Sequence, residues 1–350
     1  MQHLIRTSDF SKEEILDIFD DAREFLKFEP NEILKGKIIV TLFFENSTRT
    51  RSSFEIAAKR LGAEVVSLDV STSSTSKGET IFDTVANINA MKPDAIIIRH
   101  SECGLPESLT GYVDCPIINA GDGKHAHPTQ ALLDLFTIYE HFEGQTEGKK
   151  IAIVGDVRTS RVAGSNRRLL PSFGIDVSFI SPECFRYEGD DFKTYTKISD
   201  IIDELDIIMS LRTQLERHSE VYFESLNEYA KDYCITTEVM GDRNIILLHP
   251  GPVNRNVDIS DEMLKDPRSK VLQQVTNGVA IRAAVLKKLI HLVYDVRRDD
   301  ARFRQQIGLP GRFDEMRKKY PERREWNSLT VSTEQKDNEL IQLGFSVSGN

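Results

Sequence analysis

The stretch Ile38-Ile39-Val40-Thr41-Leu42-Phe43-Phe44, followed by Ser47-Thr48-Arg49-Thr50-Arg51, decides how this chain folds. The first part is rich in β-branched and aromatic residues and predicts a buried strand. From Ser53 to Leu61 apolar residues recur at helical spacing, and Gly62 marks the end of the predicted helix. The polar segment between strand and helix therefore lies at a helix N-terminus, where unpaired N–H groups and the helix dipole favour an anion.

The side chains of this polar segment suit a phosphate group. Ser47, Thr48 and Thr50 supply hydroxyl donors, and Arg49 supplies a planar guanidinium that matches phosphate oxygens. A Ser/Thr helix cap flanked by solvated arginines explains the same residues. The segment alone leaves both interpretations open.

Strands and helices alternate along most of the chain, which predicts an α/β fold. The first set of predicted strands is Ile38–Phe44, Glu64–Leu68, Ala95–Arg99 and Pro116–Asn119, and the second set is Ile151–Val154, Asp176–Ile180, Ile207–Ser210 and Ile245–His249. The predicted helices are Ile15–Phe28, Thr50–Leu61, Thr80–Met91, Thr129–Glu140 and Asn277–Tyr294. We expect two domains, each a parallel β-sheet flanked by helices, with the boundary between residues 130 and 148.

Composition narrows the class of protein. A length of 350 residues suits two domains of ordinary size. The net charge of −10 argues against nucleic acid or an anionic membrane as the main partner. The four cysteines lack metal-ligand spacing, so we expect neither a zinc site nor a disulfide framework. We also expect no metal and no other cofactor. No window reaches the apolar length of a membrane span, and we expect a soluble cytoplasmic protein.

Seven polar islands occur in a fixed order along the chain: Ser47–Arg51, Lys77–Thr80, Ile98–His100, Asn119–Gly123, His127–Gln130, Met209–Gln214 and His249–Arg255. Together they resemble the catalytic chains of the aspartate carbamoyltransferase family. One island is easily matched by chance, but seven in order are not. The resemblance extends over residues 1–297 and implies transfer of the carbamoyl group of carbamoyl phosphate to the α-amine of L-aspartate, a step of pyrimidine biosynthesis.

The resemblance also implies a domain arrangement. Residues 1–130 would form a carbamoyl-phosphate-binding domain that is completed by a C-terminal helix over residues 277–297. Residues 131–276 would form an aspartate-binding domain, with the active site in the cleft between the two domains and at a subunit interface. Residues 298–350 would be a charged C-terminal extension, either disordered or folded as a short helical annex.

The resemblance assigns the carbamoyl phosphate site to residues of both halves of the chain. The implied ligands are Ser47, Thr48, Arg49, Thr50, Ser73, Lys77, Arg99, His127, Gln130, Gly251 and Pro252. Thr50, Arg99 and His127 would stabilise the carbonyl oxygen, while the carbonyls of Gln130, Gly251 and Pro252 would accept the carbamoyl NH₂ protons. Ser73 and Lys77 would reach the site of a neighbouring subunit, which makes a homotrimer with shared active sites. The implied catalytic residues are Thr50, Lys77, Arg99 and His127.

The aspartate substrate carries two carboxylates, for which arginines are suitable partners. By resemblance, Arg158 would bind the α-carboxylate, and Arg212 and Gln214 would bind the side-chain carboxylate, with Lys77 of the neighbour close by. We interpret Arg161, Arg217 and Arg255 as solvated or structural residues.

Three other functions compete with this one. A carbamoyltransferase for ornithine typically carries His-Cys-Leu-Pro and Ser-Met-Gly, whereas this chain has His249-Pro250-Gly251-Pro252 and Ser210-Leu211-Arg212. A nucleotide-binding module would need spaced glycines after the run Ile151–Gly155, which are missing. A catalytically inactive scaffold would not need the expected residue types at the matched positions. Whether a regulatory chain or a dihydroorotase binds the trimer is open at this stage.

Overall fold

The first of two parallel β-sheets lies in the N-terminal part of the chain. The computed structural model of the protein describes residues 2–29, 31–69, 80–189, 191–213, 223 and 225–306. The sheet has four strands in the order β2-β1-β3-β4. Its strands are Ile38–Phe43 (β1), Glu64–Asp69 (β2), Ala95–His100 (β3) and Ile117–Asp122 (β4). The three pairs of neighbouring strands are all parallel, so the carboxyl ends of the four strands meet at one edge, where open α/β sheets bind ligands.

The second sheet has five parallel strands in the order β7-β6-β5-β8-β9. Its strands are Lys150–Val154 (β5), Asp176–Ile180 (β6), Lys193–Tyr195 (β7), Ile207–Ser210 (β8) and Ile246–Leu248 (β9). The sequence did not predict β7, because a three-residue edge strand with polar side chains gives no measurable period. The prediction of an α/β fold with two parallel sheets flanked by helices is confirmed.

Nine α-helices are present among the described residues. They are Lys12–Phe25 (α1), Thr48–Arg60 (α2), Ile81–Ala90 (α3), Leu105–Ser108 (α4), Pro128–His141 (α5), Arg161–Leu169 (α6), Leu226–Tyr233 (α7), Thr237–Met240 (α8) and Val271–Gln306 (α9). Capping boxes at Ser11 and Thr80 fix the starts of α1 and α3. The last helix begins six residues before the predicted start at Asn277 and continues past residue 298, where we expected the extension to begin.

Helix α5 is buried over an unbroken stretch from Pro128 to Ile138. The same hydrophobic cluster contains side chains of the first sheet, such as Ile97, and of the second sheet, such as Ile153. A helix that is buried on all sides lies in the protein interior, where its polar side chains need hydrogen-bond partners. The polar residues at the start of α5 are therefore held in a fixed position.

The chain divides into two compact units, residues 1–294 and residues 295–350. Both sheets belong to the first unit. Of the second unit the structure describes the C-terminal end of α9. Within the described residues, no helix has the length and apolarity that a membrane span requires.

Candidate active site

Helix α2 begins inside the polar segment that the sequence singled out. Ser47 is its N-cap residue, and Thr48, Arg49 and Thr50 form the first turn. The Ser47 side chain makes no capping hydrogen bond, so the helix-cap interpretation of this residue is not supported. Thr50 is buried, whereas Thr48 and Arg49 are exposed. The hydroxyl of Ser47 and the free N–H groups of this turn are available to an anion.

Arg49 lies against the turn that follows β9. A Cβ added at Gly251 would lie 3.2 Å from Nε of Arg49, and Gly251 has a φ of +68° that favours glycine. Burial, and then the positive charge of Arg212, lowers the pKa of Arg49. Arg212 directly follows β8 of the second sheet. The guanidinium groups of Arg49, on α2, and of Arg212, after β8, are therefore close enough to repel each other, and an anion between them would relieve this repulsion.

A second pair of arginines surrounds the carboxylate of Glu45. Nη2 of Arg161 donates to Oε2 of Glu45 at 2.9 Å, and Nε of Arg99 donates to the same oxygen at 3.2 Å. Nη1 of Arg99 also donates to the carbonyl of Ala120 at 3.2 Å. A Cβ added at Gly121 would lie 3.2 Å from Nη1 of Arg161 and 3.3 Å from Nη1 of Arg99. The two Nη1 atoms therefore flank the same backbone position at the carboxyl end of β4.

His127 is the N-cap residue of α5 and is 5% exposed. Its backbone N–H donates to Oγ of Ser165 at 2.9 Å, and its Nδ1 is buried without a hydrogen-bond partner among the described residues. Burial, followed by the charges of Arg99, Arg161 and Arg282, holds the pKa of His127 well below its usual range. The imidazole is therefore neutral at physiological pH and has one N–H with which to polarise a carbonyl oxygen.

The turn after β9 is held by the buried carboxylate of Asp258. Oδ2 of Asp258 accepts from the backbone N–H of Asn254 at 2.8 Å. Oδ1 accepts from the backbone N–H and the hydroxyl of Thr213, at 3.1 and 2.9 Å. Thr213 is the neighbour of Arg212. The carboxylate thus connects the segment that presents Arg212 to the turn that contains Gly251 and Pro252.

The structure separates Arg158 from Arg161, which are three residues apart. Arg158 is exposed, and its Nη2 lies 3.2 Å from Oε1 of Glu188, on the surface. Arg161 is 5% exposed and lies in the cluster with Glu45 and Arg99. Of our two interpretations of Arg161, as a solvated or as a structural residue, the structure excludes the first and agrees with the second. Arg161 could have been identified from the sequence as a candidate site residue, because it lies at the start of the helix that follows the strand β5.

Three predicted site residues, Ser73, Lys77 and Gln214, lie outside the described residues. Of the others, Thr50 and Gln130 are buried, Ser47, Arg99, Arg212 and Gly251 are partly exposed, and Pro252 is exposed. In the described part of the chain, no three His, Cys, Asp or Glu side chains are arranged to hold a metal ion. The described site is thus a set of arginines, hydroxyls and neutral amides around the carboxyl ends of two sheets.

Family models match nearly the whole length of the described chain. The model described as "Aspartate/ornithine carbamoyltransferase, carbamoyl-P binding domain" matches residues 2–140, and the one described as "Aspartate/ornithine carbamoyltransferase, Asp/Orn binding domain" matches residues 147–289. A third model, described as a domain of unknown function, matches residues 267–344.

Similar proteins agree with these matches. The aspartate carbamoyltransferase catalytic subunit of Aliarcobacter butzleri is 80% identical over 290 residues, which are 83% of this chain and 98% of that protein. The catalytic subunit of M. jannaschii aspartate transcarbamoylase is 38% identical with a TM-score of 0.75, covering 83% of this chain and 98% of that chain. Trypanosoma cruzi aspartate transcarbamoylase in complex with N-(phosphonacetyl)-L-aspartic acid is 30% identical with a TM-score of 0.76, covering 82% of this chain and 95% of that chain. The chain belongs to the aspartate/ornithine carbamoyltransferase family.

Proposed function

We propose that this chain catalyses transfer of the carbamoyl group of carbamoyl phosphate to the α-amine of L-aspartate, giving N-carbamoyl-L-aspartate and phosphate. The observation that carries the proposal is a set of two arginine pairs, Arg49 with Arg212 and Arg99 with Arg161, in a chain whose net charge is negative. Both substrates are anions, and catalysis of this reaction requires positioning them and stabilising charge that develops on the carbonyl oxygen. The relative in Aliarcobacter butzleri, which carries the same activity in its name, supports the same conclusion.

The phosphate group binds at the first turn of α2, to Ser47, Thr48, Arg49 and Thr50. The N–H groups of this turn and the Arg49 guanidinium neutralise the leaving group as its bond to the carbamoyl carbon breaks. Arg99, Thr50 and neutral His127 donate to the carbonyl oxygen. Because His127 carries no charge, its N–H stabilises the oxyanion without adding a proton to it.

Gln130 and the turn at Gly251 and Pro252 recognise the carbamoyl amino group through carbonyl oxygens. Arg212 and Gln214 bind the side-chain carboxylate of aspartate. For the α-carboxylate, we favour Arg161 over Arg158, because Arg161 is buried beside Arg99 and keeps a buried Nη1 without a hydrogen-bond partner among the described residues. A carboxylate oxygen at that atom would remove an unfavourable buried donor.

Each proposed substrate-binding domain contains one of the two sheets. The family matches to residues 2–140 and 147–289 support a carbamoyl-phosphate-binding domain over residues 1–130 and an aspartate-binding domain over residues 131–276, with the end of the chain from residue 298 as an extension. Helix α9 would complete the carbamoyl-phosphate-binding domain, since Nη1 of Arg282 on α9 donates to Oγ of Ser53 on α2 at 2.8 Å.

A homotrimer with shared active sites completes the proposal. The edge strand β2 and the adjacent helix α2 expose Ile56, Val66 and Leu68, at 45%, 44% and 36%. Exposed apolar side chains on a sheet edge suit coverage by a second copy of the chain. The segment that contains Ser73 and Lys77 follows β2 directly, so these residues would extend from that edge into the neighbouring subunit. A cytoplasmic location fits the four cysteines, which are all free.

Product analysis tests the proposed activity. The purified protein, treated with EDTA, is incubated with carbamoyl phosphate and either L-aspartate or L-ornithine, and the products are separated. We expect N-carbamoyl-aspartate and phosphate in equal amounts and no citrulline, because Arg212 would pair with an anionic side chain and repel a cationic one. Citrulline from ornithine, without product from aspartate, would overturn the proposal.

A further inference from the structure

A buried carboxylate lies behind the proposed carbamoyl site. Asp134, on α5, is 0% exposed. Its Oδ1 accepts from Nε2 of Gln130 and from Nε2 of Gln274, each at 2.8 Å. Its Oδ2 accepts from Nδ2 of Asn166, also at 2.8 Å. The donors in these contacts are neutral side-chain amides, which a buried carboxylate requires when its charge is not directly paired.

The carboxylate decides which end of the Gln130 amide faces the substrate. An ionised carboxylate can only accept hydrogen bonds, so the NH₂ of Gln130 must face Asp134. The carbonyl oxygen, Oε1, then faces away from Asp134, and no group among the described residues donates a hydrogen bond to it. Reversing the amide would place two acceptor oxygens 2.8 Å apart. Gln130 is thus restricted to presenting an acceptor.

The same oxygen of Asp134 is also linked by hydrogen bonds to the turn at Gly251 and Pro252, which supplies the other proposed acceptors. Oε1 of Gln274 accepts from the backbone N–H of His249 at 2.9 Å while its Nε2 donates to Asp134. The N–H of Gly251 in turn donates to Nδ1 of His249 at 2.8 Å. A chain of three hydrogen bonds therefore runs from Oδ1 of Asp134 to the turn whose carbonyls face the carbamoyl group in the proposed function.

We propose that Asp134 is the positioning residue for recognition of the carbamoyl amino group. This inference rests on the proposed function, and Asp134 itself does not touch the substrate. Through Gln130 and Gln274 it fixes a set of acceptors that match an NH₂ group and offer nothing to a methyl group. Asp134 therefore determines the preference for carbamoyl phosphate over acyl phosphates that have no N–H.

The preference is measured with acetyl phosphate, in which a methyl group replaces the amino group. For each protein we would determine kcat/KM for carbamoyl phosphate and the inhibition constant of acetyl phosphate against it. Asp134→Ala removes the acceptor and should lower kcat/KM for carbamoyl phosphate by roughly 10-fold to 100-fold, as expected for one or two lost hydrogen bonds. The inhibition constant of acetyl phosphate should change by less than about threefold, since its methyl group makes none of these hydrogen bonds.

Two further variants separate positioning from structural damage. Asp134→Asn keeps one oxygen that can accept from Gln130 and Gln274. Its NH₂ group can donate to Oδ1 of Asn166 after the Asn166 amide reverses, and this oxygen has no hydrogen-bond partner among the described residues. We expect Asp134→Asn to retain most of the preference for carbamoyl phosphate over acetyl phosphate. Thr137→Val, one turn along α5, removes a buried contact at 2.9 Å to Nδ2 of Asn277 on α9 but touches neither Gln130 nor Gln274. It should leave the preference unchanged.

The outcomes are distinct. Equal weakening of carbamoyl phosphate and acetyl phosphate by Asp134→Ala, or an Asp134→Asn variant as impaired as Asp134→Ala, would overturn the proposal. If Asp134→Ala does not fold, Gln274→Leu decides the question, because it breaks the connection from Asp134 through Gln274 to His249, keeps the contact between Asp134 and Gln130, and should lower the preference in the same direction. In that case, an unchanged preference in Gln274→Leu overturns the proposal that Asp134 is a positioning residue. A wild-type protein that forms no carbamoyl-aspartate would instead contradict the proposed function.

Discussion

Oε2 of Glu45 accepts a hydrogen bond from Nη2 of Arg161 at 2.9 Å, although the two residues are 116 positions apart in the chain. Glu45 follows the first sheet's strand β1, and Arg161 opens α6 beside the second sheet. The carboxylate holds the guanidinium in place and leaves its buried Nη1 for another acceptor. Because Arg99 shares the same carboxylate oxygen, one negative charge faces two positive ones. The excess charge favours an anionic substrate at this point.

We expect Arg161→Met and Arg158→Met to differ sharply. Arg161→Met loses a charge-assisted hydrogen bond to the aspartate carboxylate. The KM for aspartate should therefore rise by a factor that corresponds to about 1.5–3 kcal/mol of lost binding free energy. Arg158→Met should change it little, because Arg158 pairs with exposed Glu188. Steady-state kinetics with saturating carbamoyl phosphate measure both values. A large effect in Arg158→Met with none in Arg161→Met would restore the assignment made from sequence.

Arg212→Met should weaken aspartate binding far more than carbamoyl phosphate binding. Arg212 follows β8 of the second sheet, whereas the phosphate segment opens α2 beside the first sheet. The loss should be about 1.5–3 kcal/mol in the binding of aspartate. The positive charge of Arg212 lowers the pKa of Arg49 and adds to the positive potential there, so removing it should leave phosphate binding unchanged or only slightly weaker. Calorimetric titration with carbamoyl phosphate, and with succinate as a dicarboxylate probe, compares the two sites. Similar losses for both ligands would show that Arg212 is not specific for aspartate.

His127 should stay neutral across the working pH range. Its pKa is lowered by burial and by three arginines, so protonation requires a pH well below 6.5. Activity above pH 6 should therefore not follow the titration of this ring. In protein labelled at the histidine rings, the resonance missing from His127→Gln should not shift between pH 6 and pH 8. A midpoint at or above pH 6.5 for that resonance would contradict the neutral-donor role.

Burial of Asp134 should lower stability at neutral pH. Its pKa rises from 3.8 to about 6 on folding, so the unfolded chain loses this proton first as the pH increases. The Asp134 contribution to stability is greatest below pH 3.8 and is lost as the pH rises to about 6. Relative to wild type, the free energy of unfolding of Asp134→Asn should therefore increase by about 2 kcal/mol between pH 4 and pH 7. Urea denaturation at several pH values measures this difference, and Thr137→Val should show no such pH dependence.

Mixed trimers test the shared site. Homotrimers of Lys77→Ala and of His127→Ala should each be nearly inactive, because one lacks the donated lysine and the other lacks its own histidine. In a mixed trimer, a Lys77→Ala chain keeps His127 and receives Lys77 from its neighbour, so an intact site is rebuilt. A preorganised cation at such a site can contribute roughly 10²–10³ in rate, which makes the recovery measurable. Trimers verified as mixed by mass, with no activity above that of the parents, would exclude donation of Lys77.

Local patterns in the sequence predicted most of the secondary structure. The β-branched run from Ile38 and the run from Asp176 to Ile180 became strands nearly residue for residue. The strand–turn–helix order placed Ser47, Arg49 and Thr50 at a helix N-terminus, because that position depends only on neighbours in the chain. The start of α9 was missed by six residues, since Val271–Thr276 has no strong cap signal and its apolar residues Leu272 and Val275, which are 80% and 50% exposed, form no buried helical face.

The sequence by itself determined the fold class, the position of the phosphate segment and the family, because each depends on residue types at short, fixed spacings. Only the tertiary structure distinguishes Arg158, which is exposed, from Arg161, which is buried, although the two have the same chemistry and lie three residues apart. Their difference arises from Glu45 and Gly121, which are distant in sequence and close in space. The role of Asp134 likewise depends on Gln274, 140 residues away, whose amide reaches it only after α5 and α9 pack together. Burial and long-range hydrogen bonds set these roles, and neither is encoded in the local pattern around a residue.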